Sequence, residues 1–265
     1  MDINFLKQNG VDTDKALELF GDMDIYNETF QDYLDGIDEK LSNLKRSKDN
    51  ENWQDYGIFA HSIKSDARYL GFTKEAEIFL QHEMAGKQEN QHFIEKEYDN
   101  LLKTVSYMTS IVKRYLSGEK ALLRMPEPEV RPVINTVASP LEDVVLIVDD
   151  SKIVDNFALK VMDGIYKGVV ALDGKEAIDI ISSNKYNILA ILLDLNMPNV
   201  GGFEVLDYLK NSNHYSKIPI SIITGEDSKD MIDKAFKYNI VDMLVKPFSK
   251  SDFLRVLDKT INLNK

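Results

Sequence analysis

The chain of 265 residues contains no cysteine and only one tryptophan. The absence of cysteine excludes disulfides and thiolate metal sites. Long apolar runs are also missing, because stretches such as 144–148 and 189–193 are far too short to span a bilayer. The N-terminus has neither the basic region nor the apolar region of a signal peptide. We therefore expect a cytoplasmic protein without membrane insertion.

A basic stripe is another missing feature. Residues 1–116 carry 22 acidic and 14 basic side chains, residues 117–265 carry 22 and 18, and the formal net charge is −12. Neither half could neutralise a phosphate backbone, so we expect no nucleic-acid partner. The content of 43% hydrophobic and 29% charged residues is typical of a globular protein, and the length suits two ordinary domains.

The first half has the apolar spacing of helices, uninterrupted by strand-like alternation. This pattern predicts four or five amphipathic helices that pack as an all-α four-helix bundle over residues 1–116, with a turn at 47–52. Residues 117–143 contain four prolines and predict a semi-stiff linker, whose start could extend the last helix through Leu123.

The second half, residues 144–265, alternates short apolar runs with amphipathic segments. The runs lie at 144–148, 168–172, 188–193, 218–223 and 240–245. Strands that alternate with helices and are almost entirely apolar indicate a doubly wound α/β domain, in which helices cover both faces of a five-stranded parallel sheet. Functional groups in such sheets gather at the carboxyl ends of the strands.

Polar residues interrupt the predicted strand ends in a chemically selective way. Asp149 and Asp150 end the first strand, Asp194 the third, Thr224 the fourth and Lys246 the fifth. Three adjacent carboxylates repel each other unless a cation joins them, and oxygen ligands suit Mg²⁺. We expect Asp194 to be a nucleophile that forms an acyl phosphate, with Lys246 and Thr224 contacting the phosphoryl group.

These residues resemble the motifs of response-regulator receiver domains, which have a flavodoxin-like fold. The matching segments are VDD at 148–150, DLNMP at 194–198, Thr224–Gly225 and KPF at 246–248. The resemblance implies that Asp194 accepts phosphate, that Asp150 and Asp194 bind Mg²⁺ directly, that Asp149 acts largely through water, and that the carbonyl of Asn196 completes the ligands. Met243 departs from the family, which usually has an aromatic residue there that swings inward on phosphorylation. An aromatic rotamer switch is therefore not available at that position, whereas phosphate acceptance does not depend on it.

One of the four histidines, His61, stands out in the first half. It lies two positions from both Phe59 and Ile63, which is about 200° around a helix from each, so we expect it to face outward from the bundle core. Lys64, Ser65 and Arg68 follow on the same face. An exposed imidazole beside two cations suits transient phosphorylation, with Lys64 among the functional residues. We interpret His82, His92 and His214 as surface or packed residues.

The string HSIKSDARYLG at 61–71 resembles the histidine phosphotransfer (HPt) family, although Ser65 stands where that family often has glycine. The resemblance covers about residues 10–116. Together the two resemblances imply a His–Asp phosphorelay intermediate that accepts phosphate on Asp194 and carries it on His61. Its partners would be a histidine kinase, or other receiver or HPt proteins. We expect no ATP-dependent kinase activity, because no phosphate-binding GxxxxGK[ST] motif occurs.

The residues leave two alternatives open. The bundle could serve only as a docking surface, so that phosphorylation of Asp194 controls a binding scaffold. A Mg²⁺-dependent phosphohydrolase with an aspartate nucleophile is less consistent with the sequence, because its usual DxD motif on the first strand is absent and the acids of DDSK at 149–152 are adjacent.

Removing the carboxylate of Asp194 tests the phosphoacceptor assignment. When the protein is incubated with a small phosphodonor and Mg²⁺, we expect wild type to gain a base-labile phosphate and Asp194→Ala to gain none, because the nucleophile is missing. Mass spectrometry before and after alkaline treatment measures the label. Equal labelling of the two proteins would show that the assignment is wrong.

Overall fold

A computed structural model describes residues 2–118, 142–212, 218–225 and 229–262. Most of the predicted linker, the extension through Leu123 and His214 lie outside the described residues. In the first half the helices are α1 (Ile3–Gln8), α2 (Thr13–Phe20), α3 (Met23–Asp49), α4 (Trp53–Tyr69), α5 (Thr73–Lys87) and α6 (Gln91–Ser117). The second half contains β1 (Glu142–Val148), α7 (Lys152–Met162), β2 (Gly168–Ala171), α8 (Gly174–Ser182), β3 (Tyr186–Asp194), α9 (Gly202–Lys210), β4 (Ile220–Thr224), α10 (Lys229–Ala235), β5 (Met243–Val245) and α11 (Lys250–Ile261).

The four long helices α3 to α6 form the predicted bundle. Its first turn follows Asp49, and the side chain of Asn52 caps α4 by accepting from the Asp55 N–H at 3.2 Å. The described part of the first half also has two short helices, α1 and α2, which raise the total above the predicted four or five. Gly10 and Gly21 separate them from their successors, because both have left-handed φ angles, +80° and +69°.

The five strands form one parallel sheet in the order β2-β1-β3-β4-β5, which confirms the predicted flavodoxin-like arrangement. Alternate residues of β1 face opposite sides of the sheet. Leu146 and Val148 pack on the side covered by α8 and α9, whereas Val145 and Ile147 pack on the side covered by α7 and α11. This sheet brings the ends of β1, β3 and β4 to a common edge.

The apolar core on the α7 side continues into the helical bundle. The ring centroids of Phe20 and Phe157 are 5.5 Å apart, and those of Tyr69 and Phe248 are 5.8 Å apart. All four side chains are buried. Each such aromatic pair contributes about 0.5–1.5 kcal/mol beyond the area that it buries. The two halves therefore share one core, which places α4 of the bundle over the carboxyl edge of the sheet.

None of the helices within the described residues combines the length and the hydropathy that a transmembrane helix requires. His82 confirms its interpretation as a packed residue: its side chain is buried, Tyr56 Oη lies 2.7 Å from its Nδ1, and its ring contacts Phe93. Burial lowers the pKa of His82 to about 4.

The buried His82 makes the stability of the bundle depend on pH. In the unfolded chain the pKa of His82 is about 6.5, so as the pH falls the unfolded state binds a proton before the folded state does. The stability that this residue contributes above pH 6.5 is therefore lost as the pH falls towards 4. We expect the free energy of unfolding to fall by about 2–3 kcal/mol from this residue. Urea unfolding followed by the fluorescence of Trp53, the only tryptophan, measures it.

The comparison variant is His82→Gln, which keeps an acceptor for Tyr56 and should weaken this pH dependence. His92→Gln is the matched control, because His92 is exposed. The explanation fails if both variants retain the pH dependence of wild type.

Candidate functional site

Three carboxylates meet at the carboxyl edge of the sheet. Asp149 and Asp150 follow the last residue of β1, and Asp194 is the last residue of the neighbouring strand β3. One carboxylate oxygen from each lies within 4.8 Å of the others. Asp149 and Asp194 are buried, whereas Asp150 is half-buried. The fold thus brings together the acids that the sequence assigns to the metal site.

Lys246 provides the positive charge of this cluster. Its Nζ lies 2.6 Å from Asp149 Oδ2 and also contacts Asp194. Burial by itself would lower the pKa of Lys246, but the carboxylates of Asp149 and Asp194 hold it well above its ordinary value. The Lys246 N–H donates to the carbonyl of Thr224 at 2.7 Å, which ties the lysine to the end of β4. Thr224 itself is buried.

The donor set of this edge fits a divalent cation that prefers oxygen. Burial raises the pKa of Asp149 to about 7, and the charges of Asp194 and Asp150 add to this rise while Lys246 opposes it. One ammonium does not balance three carboxylates. Mg²⁺ binds carboxylate oxygens and suits such a site. The Asn196 N–H donates to Asp194 Oδ1 at 2.9 Å, which places Asn196 next to the acids. Metal binding by its carbonyl stays a prediction.

His61 lies on α4 and is only 3% exposed. The prediction that its imidazole is exposed is therefore wrong. The prediction assumed that the face of α4 opposite Phe59 and Ile63 meets water. Instead, α5 covers one side of the ring, and the sheet-containing half covers another. Periodicity within one helix cannot reveal a surface that a later part of the chain buries.

Glu83 of α5 holds the imidazole, and the sequence reasoning missed it. Its Oε1 lies 2.9 Å from His61 Nδ1, and its Oε2 lies 2.5 Å from Lys64 Nζ. Lys87 adds a third contact, with Nζ 2.9 Å from Oε1. Burial alone would raise the pKa of Glu83, but the hydrogen bonds and charges of His61 and Lys64 lower it below its ordinary value.

A signal for Glu83 exists in the sequence. It lies four residues after Phe79 and three before Gly86, so it shares their face of α5, and an acid on an apolar face needs a buried partner. Gly57 and Gly86 let the two helices approach closely enough to supply that partner. A Cβ built on Gly86 would lie 2.6 Å from the Cα of Gly57.

The second nitrogen of the ring, Nε2, points at the sheet edge. It is buried and has no hydrogen-bond partner among the described residues. A Cβ built on Gly225, the residue after Thr224, would lie 2.6 Å from Nε2. A carboxylate cannot donate, so the contact with Glu83 assigns the proton to Nδ1. In the neutral ring the lone pair is then on Nε2, which lies beside the end of β4.

The cations that the sequence placed beside His61 differ in position. Lys64 is buried, and its Nζ is 3.2 Å from Nδ1 of the ring. Burial lowers the pKa of Lys64, although Glu83 opposes this change. Arg68 points elsewhere, with Nη2 4.0 Å from the exposed carboxylate of Glu77. Ser65 is small and buried.

Met243, the departure from the receiver pattern, is half-buried at the start of β5. It packs with the core on the α8 and α9 side of the sheet, away from the acidic edge. An unbranched thioether in this place adapts to its neighbours but has no aromatic ring to rotate.

The family model described as response regulator receiver domain matches residues 145–258. Two-component response regulator ORR3 of Oryza sativa subsp. indica is 32% identical over 128 residues, which are 48% of this chain and 95% of that protein. The CAI-1 autoinducer sensor kinase/phosphatase CqsS of Vibrio cholerae is 35% identical over 126 residues, 47% of this chain. The solved chemotaxis response regulator CheY4 of Vibrio cholerae is 29% identical, with 46% of this chain and 99% of that chain covered and a TM-score of 0.41.

The share of each relative that is covered differs widely. The chain spans 18% of the sensor kinase/phosphatase and 23% of a probable cyclic di-GMP phosphodiesterase of Vibrio cholerae. It spans nearly all of the rice response regulator. The residues that the family model matches all lie in the sheet-containing half.

Neutralising Glu83 tests the buried cluster around His61. Glu83→Gln leaves the ammonium of Lys64 buried without its closest counter-charge, and we expect the bundle to lose about 3 kcal/mol of stability. The Nδ1–H tautomer of His61 should also lose its dominance. Trp53 fluorescence in urea and ¹⁵N NMR of the imidazole measure the two effects.

Glu77→Gln is the matched control. The side chain of Glu77 is 62% exposed and 4.0 Å from Arg68, so its loss should change stability by less than about 0.5 kcal/mol. If Glu83→Gln were as stable as wild type and the tautomer were unchanged, Glu83 would not fix the imidazole of His61 as we describe.

Proposed function

This chain belongs to the response-regulator receiver family, and we propose that it is a His–Asp phosphorelay intermediate that accepts phosphate on Asp194 and carries phosphate on His61. Its helical half fits an HPt-like domain. The observation that carries the proposal is the position of His61 Nε2, which lies without a hydrogen-bond partner beside Gly225, on the edge that holds Asp194.

The acceptor chemistry lies with Asp194. Its carboxylate attacks the phosphorus of a donor, an acyl phosphate forms, and the donor group leaves. Lys246, which contacts Asp194, would bind the phosphoryl oxygens, and Thr224 at the end of β4 would donate to them. Asp149, Asp150 and Asp194 would hold Mg²⁺, which when bound offsets the negative charge of the phosphoryl group.

The carrier chemistry lies with His61. Glu83 keeps the proton on Nδ1, so Nε2 retains the lone pair that a nucleophile needs. The negative charge of Glu83 also stabilises the positive charge that the ring gains when Nε2 bonds to phosphorus. Lys64 anchors Glu83 on the Nδ1 side of the ring, and through Glu83 it helps to fix the orientation of the imidazole.

The partners follow from this chemistry. A histidine kinase would supply the phosphoryl group, and other receiver or HPt proteins would exchange it. One relative combines a matching segment with a sensor kinase/phosphatase, the class of protein that such a donor represents.

Substituting His61 tests the carrier role. After loading with a small phosphodonor and Mg²⁺, we expect wild type to accumulate an acid-labile phosphate that His61→Gln lacks, because glutamine offers no nucleophilic nitrogen. Base-labile aspartyl phosphate is quantified in the same samples. His92→Gln is the control and should keep the acid-labile phosphate, since His92 is exposed and lies elsewhere.

Two results would count against the proposal. Equal acid-labile phosphate in His61→Gln and wild type would place the carrier on another residue. Aspartyl phosphate without acid-labile phosphate in wild type would favour the alternative scaffold, in which the bundle only docks partners.

A further inference from the structure

We propose that the two halves of this chain are each other's docking partner, so that the His61 face of the bundle closes over the Asp194 edge of the same chain. In this closed form phosphate passes between His61 and Asp194 within one molecule, and both residues are shielded from outside proteins. The inference rests on the proposed function for the transfer step. The docking itself rests on the contacts alone.

The apolar part of the contact surface surrounds the end of α4. Tyr69, the last residue of α4, packs against Phe248, which follows the active-site lysine by two residues. Phe20 of α2 packs edge-on against Phe157 of α7. These rings are at most 2% exposed, so separation of the halves would expose large aromatic surfaces to water.

The polar part of the contact surface is matched across the two halves. Asp66 of α4 accepts from Ser151 Oγ at 3.0 Å and pairs with Lys40 Nζ of α3 at 2.6 Å. Asp66 and Ser151 are buried, and a buried carboxylate needs such partners. Further out, Glu28 of α3 forms an ion pair with Lys160 of α7. Complementary polar pairs of this kind fix the orientation of a docked surface.

Gly225 is the point where the fit is closest. Because a Cβ there would lie 2.6 Å from His61 Nε2, even a methyl group would push the imidazole away from the edge. The glycine thus determines whether this histidine can reach the receiver site. His61 and Asp194 are 3% and 1% exposed in the closed form, so no outside protein can contact either without separation of the halves.

Small molecules have another route. A cavity of about 220 Å³ between the halves is lined by Asp150 together with Lys40, Asp66, Lys152 and Asn199. It leads from the surface of α3 to the acidic edge. A small phosphodonor fits this size, whereas a folded protein does not.

The transfer step balances within the closed form. The lone pair of His61 Nε2 attacks the phosphorus of phosphorylated Asp194, the N–P bond forms, and the P–O bond to Asp194 breaks. The carboxylate leaves with the electron pair of that bond. The proton stays on Nδ1, hydrogen-bonded to Glu83, and the reverse step follows the same path. Covalent connection gives each half an effective concentration of its partner on the order of millimolar.

A mixing experiment with full-length chains tests transfer within one molecule. Wild type is loaded with acetyl phosphate and Mg²⁺, and the acid-labile phosphate formed per labelled aspartate is followed over time. We expect the same rate constant over a roughly hundredfold range of protein concentration. A mixture of His61→Gln and Asp194→Asn chains, in which transfer must occur between molecules, should be at least about tenfold slower.

A rate that rises in proportion to concentration, with equal transfer in the mixture, would overturn the inference and leave the proposed function intact. The absence of any acid-labile phosphate in wild type would refute the proposed function instead. Docking is then decided by cross-linking, which needs no phosphate.

Because the chain contains no cysteine, two introduced cysteines are the only thiols that a cross-linker can join. In Glu28→Cys/Lys160→Cys, a short bismaleimide should join the halves within one chain, because the native side chains at these positions meet. We expect monomeric cross-linked product at every protein concentration. Dimeric product, or none, would show that the halves are not docked in this way.

A size series at residue 225 in the cross-linkable chain tests the close fit. Gly225→Ala should reduce both the cross-linking yield and the transfer per labelled aspartate, and Gly225→Val should reduce them further. Gly201→Ala is the matched control for cross-linking, because its added Cβ would lie 3.0 Å from the flexible carboxylate of Glu204 and 3.4 Å from the Leu195 carbonyl. Unchanged yield and transfer in Gly225→Val would refute the role of the glycine.

Discussion

Electrostatic repulsion among three carboxylates sets the conditions for the rest of this structure. Asp149, Asp150 and Asp194 meet at one edge because a parallel sheet ends its strands together. The ammonium of Lys246 contacts two of them and is itself buried. An isolated charge would not be stable in such surroundings, so the ends of β1, β3 and β5 have to stay in register. The position of Gly225 depends on the same register.

The bundle contains a similar buried ionic cluster, in which the cations outnumber the carboxylate. Glu83 is a buried carboxylate that two lysines surround, and the imidazole of His61 takes its remaining contact. Each half therefore contains a compact ionic cluster in a region of low dielectric constant. The closed form aligns these clusters, with the unprotonated nitrogen of His61 between them. Charge is thus arranged along the path that the phosphoryl group would take.

The sequence was sufficient for the sheet and for its acidic edge, because polar residues that directly follow apolar strands must lie at that edge. The positions of Asp194 and Lys246 follow from this rule alone. His61 was found from a helix face and a motif, but its burial was not, because the covering surface comes from a distant part of the chain. Glu83 was missed because its partners lie on another helix. Phe157 is the same kind of case: a buried phenylalanine on a helix looks identical whether it packs within its own domain or against another.

The contact between Gly57 and Gly86 has a consequence for the histidine that neither glycine touches. The two helices can be this close only because both residues lack a side chain. Gly57 lies about one helical turn before His61 on α4, and Gly86 lies about one helical turn after Glu83 on α5. A single added methyl group would move the axes of α4 and α5 apart and stretch the bond to Nδ1. The tautomer of the imidazole therefore depends on the close approach of two backbones that have no side chain at this point.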